Sequence, residues 1–286
     1  MELNTQNPMR RFLLFLFLLP GIAVARADKK SEIQRGTQTR SGLVFIRRGG
    51  RALHLNLIRP AILPAKPLPI VLWVHGGLWR SGNADKMPPL LYELARRGFA
   101  SASVEFRGSN EAVFPAQLDD LRAATRFLRQ NARAHSLDGD KIGVAGISTG
   151  AQLASLLALG GGTRCAVDIC GPSDLTTLAQ GSRLDWNASE GPLFAFLGGA
   201  ASDKLGLART ASPIFHVSKG APPFLILHGD GDSLVSIAQS EALFQKLKAS
   251  GSRVSYRVYQ GEEHGLRGAR EQTEDEIVAF LGKWLR

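Results

Sequence analysis

The sequence is poor in cysteine, with two in 286 residues, and poor in tyrosine and methionine, with three of each. Two cysteines rule out a disulfide scaffold and supply too few thiols for a cysteine metal site. Cys165 and Cys170 share one predicted strand, five residues apart, so their side chains face opposite ways. That separation is too wide for a bridge, and two buried free thiols are expected. No internal repeat and no low-complexity tract is present, which excludes a repeat architecture. No basic run is interleaved with aromatics, and this argues against nucleic acid as a partner despite a net charge of +10. Hydrophobic residues make up 44% and charged residues 21%, enough to bury a core and too apolar for a disordered chain.

Long apolar runs are also missing. The longest, Phe12 to Leu19, falls well short of the roughly 20 residues a spanning helix needs. It follows Arg10-Arg11 and precedes Pro20-Gly21 and the small-residue stretch ending Ala25-Arg26-Ala27. Charged, apolar and small-residue parts in that order read as an export signal over 1–27, cleaved before Asp28. An uncleaved membrane anchor is the alternative, and the lack of a following cysteine argues against a lipoprotein. Cleavage would remove three basic and one acidic side chain and lower the net charge from +10 to +8.

Residues 28–40 form an N-terminal segment, and from Ser41 the pattern turns to strands. Leu43 to Ile46 and Ala52 to Ile58, split by Arg47-Arg48-Gly49-Gly50, predict a hairpin. Ile70 to Val74 is a continuous apolar run, as expected of a strand buried on both faces. Strands and helices then alternate. Helices are expected at 89–97, 116–133, 149–159, 237–250 and 271–284, and strands at 100–104, 142–145, 165–170, 224–227 and 253–259. The pattern predicts one α/β domain over 41–286, with a mostly parallel central sheet and helices on both faces. Residues 180–219, rich in glycine, proline and aromatics, break the alternation and are expected to form a cap or lid over the carboxyl edge of the sheet.

Active sites of such sheets lie at that edge, and four stretches there carry chemistry. Gly146-Ile147-Ser148-Thr149-Gly150 is G-x-S-x-G between a strand and a helix. The turn is so tight that residues two positions either side of the serine must be glycine, and the hydroxyl then projects at a helix N-terminus. Val74-His75-Gly76-Gly77-Leu78-Trp79 follows the most apolar strand. Its glycines let backbone N–H groups approach a substrate carbonyl, and the expected oxyanion donors are Gly77 or Leu78, plus Thr149. In His228-Gly229-Asp230-Gly231-Asp232, the Asp230-Gly231 pair resembles a turn, leaving Asp232 as the favoured orienting carboxylate. Gly261-Glu262-Glu263-His264-Gly265 follows the last strand and offers a mobile base. The other histidines, His54, His135, His216 and His228, are read as structural.

Ser148, Asp232 and His264 run in the chain order Ser…Asp…His. With these motifs, and with FPAQLDDLRAA at 114–124, CGPSDL at 170–175 and SPIFHV at 212–217, the sequence resembles the α/β-hydrolase superfamily from about Leu68 onward. Within it, the resemblance is to carboxylesterases of the hormone-sensitive-lipase-like and BD-FAE-like (feruloyl and acetyl-xylan esterase) groups. The resemblance implies an α/β-hydrolase fold and an ester hydrolase with Ser148 as nucleophile, Asp232 as acid and His264 as base, using neither cofactor nor metal. It implies a small-molecule or polysaccharide-linked ester as substrate, with Trp79 in contact with it. The family often has glycine where Leu78 stands, Ala-Gly-Gly where Thr149-Gly150-Ala151 stands, and Tyr-Arg near Glu105-Phe106-Arg107. Leu78 and Thr149 are expected to reshape the acyl pocket. A peptidase or amidase of the same fold (prolyl-oligopeptidase-like or formamidase-like) and a non-catalytic binding module are the alternatives, although residues before 41 leave no room for a propeller.

Overall fold

The structure is a computed structural model that describes residues 31–286, so the expected signal at 1–27 lies outside the described residues. The chain divides between Arg35 and Gly36; before that point a helical turn at 31–34 and Arg35 are described, and residues 36–286 form one unit.

In this unit the hairpin forms first, from β1 (Thr37–Arg48) and β2 (Arg51–Pro60). Gly49 and Gly50 both take positive φ, as a two-residue hairpin turn demands. β3 (Leu68–Val74), β4 (Ala100–Val104), β5 (Leu137–Ile147), β6 (Ala166–Ile169), β7 (Phe224–Gly229) and β8 (Val254–Tyr259) complete a sheet of eight strands. Their order is β1-β2-β4-β3-β5-β6-β7-β8. β2 pairs antiparallel with both β1 and β4, and every pairing from β4 to β8 is parallel. Every residue of β4, β6 and β7 is buried, as expected where helices cover both faces.

The helices are α1 (Pro89–Arg96), α2 (Ala116–Gln130), α3 (Thr149–Leu159), α4 (Pro192–Leu197), α5 (Leu205–Thr210), α6 (Ala238–Ala249) and α7 (Arg270–Leu285). α2 stops before the expected Arg133. The Asn131 side chain donates to Phe127 O at 2.9 Å, satisfying a terminal carbonyl, and a 3₁₀ turn at Arg133–His135 follows. α3 is buried on nearly every side, which explains its uninterrupted small and apolar sequence. Cys165 and Cys170 flank β6 as buried free thiols.

The segment 180–219 holds α4, α5 and a 3₁₀ turn at Pro213–His216. It is anchored in the body of the domain. Trp186 and Phe196 are fully buried, and the backbone of Phe114 donates to Phe196 O at 2.8 Å. No residue of 180–219 lines the cavity at Ser148, although Arg80 donates to Glu190 O at 3.3 Å. Of its aromatics, Trp186 and Phe196 are used for packing, whereas Phe215 is exposed.

Candidate active site

β5 ends at Ile147 and α3 begins at Thr149, which leaves Ser148 alone on the turn at φ 57°, ψ −132°. A non-glycine residue in that region costs about 1–3 kcal/mol and needs support from its surroundings. The support is local. Ser148 N donates to Ile169 O at 2.7 Å, tying the turn to the end of β6. A Cβ on Gly146 would lie 2.5 Å from Gly150 O, and one on Gly150 would lie 2.3 Å from Val74 O. Only glycine fits at either place.

β3 delivers the second loop beside this turn because β3 and β5 are neighbours in the sheet. A Cβ on Gly76 would stand 2.9 Å from the Ser148 Cβ, so the loop touches the serine directly. Gly77, Leu78 and Trp79 then take positive φ in succession. Two devices hold this backbone. His75 donates from Nδ1 to Gly76 O at 2.6 Å and accepts the Asn83 N–H at Nε2, while its ring stacks on Phe106. Burial, with the nearby Lys86 charge, lowers the His75 pKa and keeps the ring neutral, as an Nε2 acceptor must be. The Thr149 hydroxyl accepts the Trp79 N–H at 3.4 Å, joining the loop to the first residue of α3. The N–H groups of Gly77, Leu78 and Thr149 take part in no hydrogen bond among the described residues. They remain available to an oxyanion.

Trp79 does not meet the substrate-contact expectation. It is fully buried, stacks on Phe196 at 4.3 Å and donates from its indole N–H to Gln152 Oε1 at 2.9 Å. The left-handed backbone at Leu78 and Trp79 turns the indole into the core, a conformation that residue types alone do not announce. Trp79→Ala is therefore expected to destabilise the fold by about 3–5 kcal/mol. The urea unfolding midpoint measures this, and a mere rise in KM at unchanged stability would contradict the packing role.

The loops after β7 and β8 meet at the same edge. Asp232 Oδ2 accepts from His264 Nδ1 at 2.6 Å, and Oδ1 accepts the N–H groups of Leu234 and Val235, both at 2.9 Å. Burial by itself would raise the Asp232 pKa, but the contacts from His228, His264 and Val235 outweigh it and hold the carboxyl well below its usual range. Asp230 is exposed and accepts the Gly261 N–H, linking the two loops without approaching the histidine. No hydrogen bond joins Ser148 Oγ to His264 among the described residues, yet both line one cavity of about 720 Å³. Leu78, Met87, Pro88, Ile147 and Leu234 supply apolar walls, and Asp85, Lys86 and Arg267 supply charge.

One neighbour of the acid was read from the sequence as merely structural. His228 is fully buried, donates from Nε2 to Val235 O at 3.0 Å and lies 3.2 Å from Asp232 Oδ2. Its Nδ1 meets Ser240 Oγ at 2.6 Å, so the ring is fixed at both ends against the turn that carries Asp232. Its position four residues before the acid at a strand terminus was the available signal. Cys170, Asp232 and His264 have ligand atoms within 4.8 Å of one another. Burial pushes the Cys170 thiol up to about 12, so it stays protonated at neutral pH.

Comparisons with known proteins give the family and the fold. A family profile described as BD-FAE matches residues 55–247. The chain belongs to the BD-FAE family. Esterase LipQ of Mycobacterium tuberculosis is 29% identical over 299 residues, covering 98% of this chain and 68% of LipQ. Esterase LipC of the same organism is 30% identical over 256 residues, covering 80% of this chain and 62% of LipC. This BD-FAE chain thus spans about two thirds of the length of these two relatives. A solved truncated carbohydrate esterase from gut microbiota superposes with a TM-score of 0.77 at 23% identity, over 86% of this chain and 96% of that one. The fold shared with it is the α/β-hydrolase fold.

Proposed function

We propose that this BD-FAE protein is a serine carboxylesterase in which Ser148, His264 and Asp232 form the catalytic triad. The observation that carries the reading is the 2.6 Å contact from His264 Nδ1 to Asp232 in the cavity that also holds Ser148. Because Nδ1 donates to the carboxylate, the neutral ring has its lone pair on Nε2. Nε2 takes the Ser148 proton as Oγ attacks the ester carbonyl, and Asp232 stabilises the imidazolium. The free N–H groups of Gly77 or Leu78 and of Thr149 receive the oxyanion. Nε2–H then protonates the departing alcohol and leaves an acyl-enzyme on Oγ. Water, deprotonated at Nε2, attacks that acyl group, and the carboxylic acid departs as Oγ recovers its proton.

The reading covers esters with short acyl groups or of the acetyl and feruloyl type, with Leu78 on the wall of the cavity that receives them. A fluorophosphonate probe is expected to form one covalent adduct, located at Ser148 by peptide mass spectrometry. An intact, unlabelled protein would point to the binding-module alternative. Turnover of esters but not of the matching anilides separates the esterase from an amidase. Export through 1–27 belongs to the same reading, and the mature protein recovered from outside the cytoplasm is expected to begin at Asp28 on N-terminal sequencing. Recovery with Met1 at its start would favour the uncleaved anchor.

A further inference from the structure

The cavity at Ser148 is charged in a way that ester hydrolysis alone does not require. The Lys86 Nζ lies 3.7 Å from where a Cβ on Gly77 would stand, beside the oxyanion loop. Arg267 follows His264 by three residues and lines the cavity from the histidine loop. Both side chains are exposed, and neither has a carboxylate within ion-pair distance among the described residues. This contrasts with Arg51, Arg96, Arg97 and Arg107, each of which is paired. Among the described residues the only acid lining the cavity is Asp85, whose Oδ1 already accepts from Asn56 Nδ2 at 2.8 Å. Two unpaired cations on two different loops thus share with one tethered carboxylate a cavity whose other lining includes Leu78, Met87, Pro88, Ile147 and Leu234.

We propose that the preferred substrates are esters that also carry a carboxylate, received by Lys86 and Arg267. The proposal rests on the serine-esterase reading of the same site and names the substrate class for it. An apolar wall holds the carbon skeleton, the reacting carbonyl sits between Ser148 and the loop N–H groups, and the free carboxylate reaches one of the two cations. Arg267 offers a planar fork that can bind a carboxylate through two hydrogen bonds, and Lys86 a compact point charge. Cations at the rim also draw an anionic substrate toward the cavity before it docks. The influence of Lys86 reaches inward, since its charge contributes to lowering the pKa of His75 at the base of the oxyanion loop.

The carboxylate could belong to the acid or to the alcohol half of the ester, and the test has an arm for each. Monomethyl glutarate is compared with the ester in which an isopropyl group replaces its carboxylate. Acetylated para-hydroxybenzoate is compared with para-isopropylphenyl acetate. In the wild-type protein the anionic member of at least one pair is expected to have the higher kcat/KM. Lys86→Gln and Arg267→Gln are each expected to lower the anionic-to-neutral ratio by up to about five-fold, mainly through KM, the scale of an exposed charge pair. The double variant should bring the ratio close to that of wild type measured near 1 M salt, where screening acts over about 3 Å. A wild-type preference for the neutral member of both pairs would overturn the proposal, as would a preference unmoved by either substitution. In both cases neutral-ester turnover still stands and supports the esterase reading. Failure to hydrolyse any of the four esters would instead count against that reading.

Discussion

Ser148→Ala should reduce kcat for a short p-nitrophenyl ester by about 10⁴-fold or more, with little change in folding. The chemical loss is total for the covalent route, because no other hydroxyl occupies the turn between β5 and α3. Some acceleration over water should survive, since the N–H groups of Gly77, Leu78 and Thr149 belong to the backbone and persist in the variant. Stability should hold because the serine side chain forms no hydrogen bond among the described residues. The structural demands of the turn fall on Gly146 and Gly150, whose surroundings exclude a Cβ. Steady-state kinetics alongside thermal unfolding separate the two effects. A variant that unfolds at the wild-type temperature and keeps near-normal turnover would remove Ser148 from the mechanism.

Asp232→Asn should be nearly as damaging, at about 10⁴-fold in kcat. The reason lies in which atoms can donate. Asp232 Oδ1 accepts two backbone N–H groups and Oδ2 accepts from His264 Nδ1, so every contact requires an acceptor. Asparagine supplies one acceptor and one donor. With its amide nitrogen toward His264, it forces the tautomer bearing the proton on Nε2, which cannot take the Ser148 proton. With the amide reversed, the nitrogen opposes the N–H groups of Leu234 and Val235. His228 adds a fourth donor, 3.2 Å from Oδ2, so neither orientation is comfortable. The acid titrates below its ordinary value in the folded protein. Its stabilising contribution is therefore complete above about pH 4 and lost as pH falls through the lowered folded value. In the variant the acid-side fall in stability should flatten, which pH-dependent unfolding would record. Wild-type turnover by Asp232→Asn would shift the search for the acid to another residue.

Much of this site was legible from sequence because its constraints are local. A serine between glycines, after an apolar strand and before a helix of small residues, permits few other backbone paths. The loops at His75, Asp232 and His264 each follow a strand, and parallel strands bring their carboxyl ends to one edge. The two acids that the turn character of Asp230-Gly231 told apart make different contacts: Asp230 links loops and Asp232 meets His264. Helix limits were less legible, and α2 ends early because Asn131 caps it through a contact that periodicity does not register.

By itself the sequence determined the α/β alternation and the hairpin, and it marked Ser148, Asp232 and His264 as candidates for one sheet edge, because short-range sterics and strand order govern all of these. Tertiary structure decided what the aromatic-rich segment and Trp79 do. The left-handed backbone at Leu78 and Trp79 sends the indole inward onto Phe196, more than a hundred residues away, and no local pattern encodes that meeting. It likewise placed His228 against Asp232 and left Lys86 and Arg267 facing one cavity. Those relations depend on which strands are neighbours and on the loops that each strand end sets side by side.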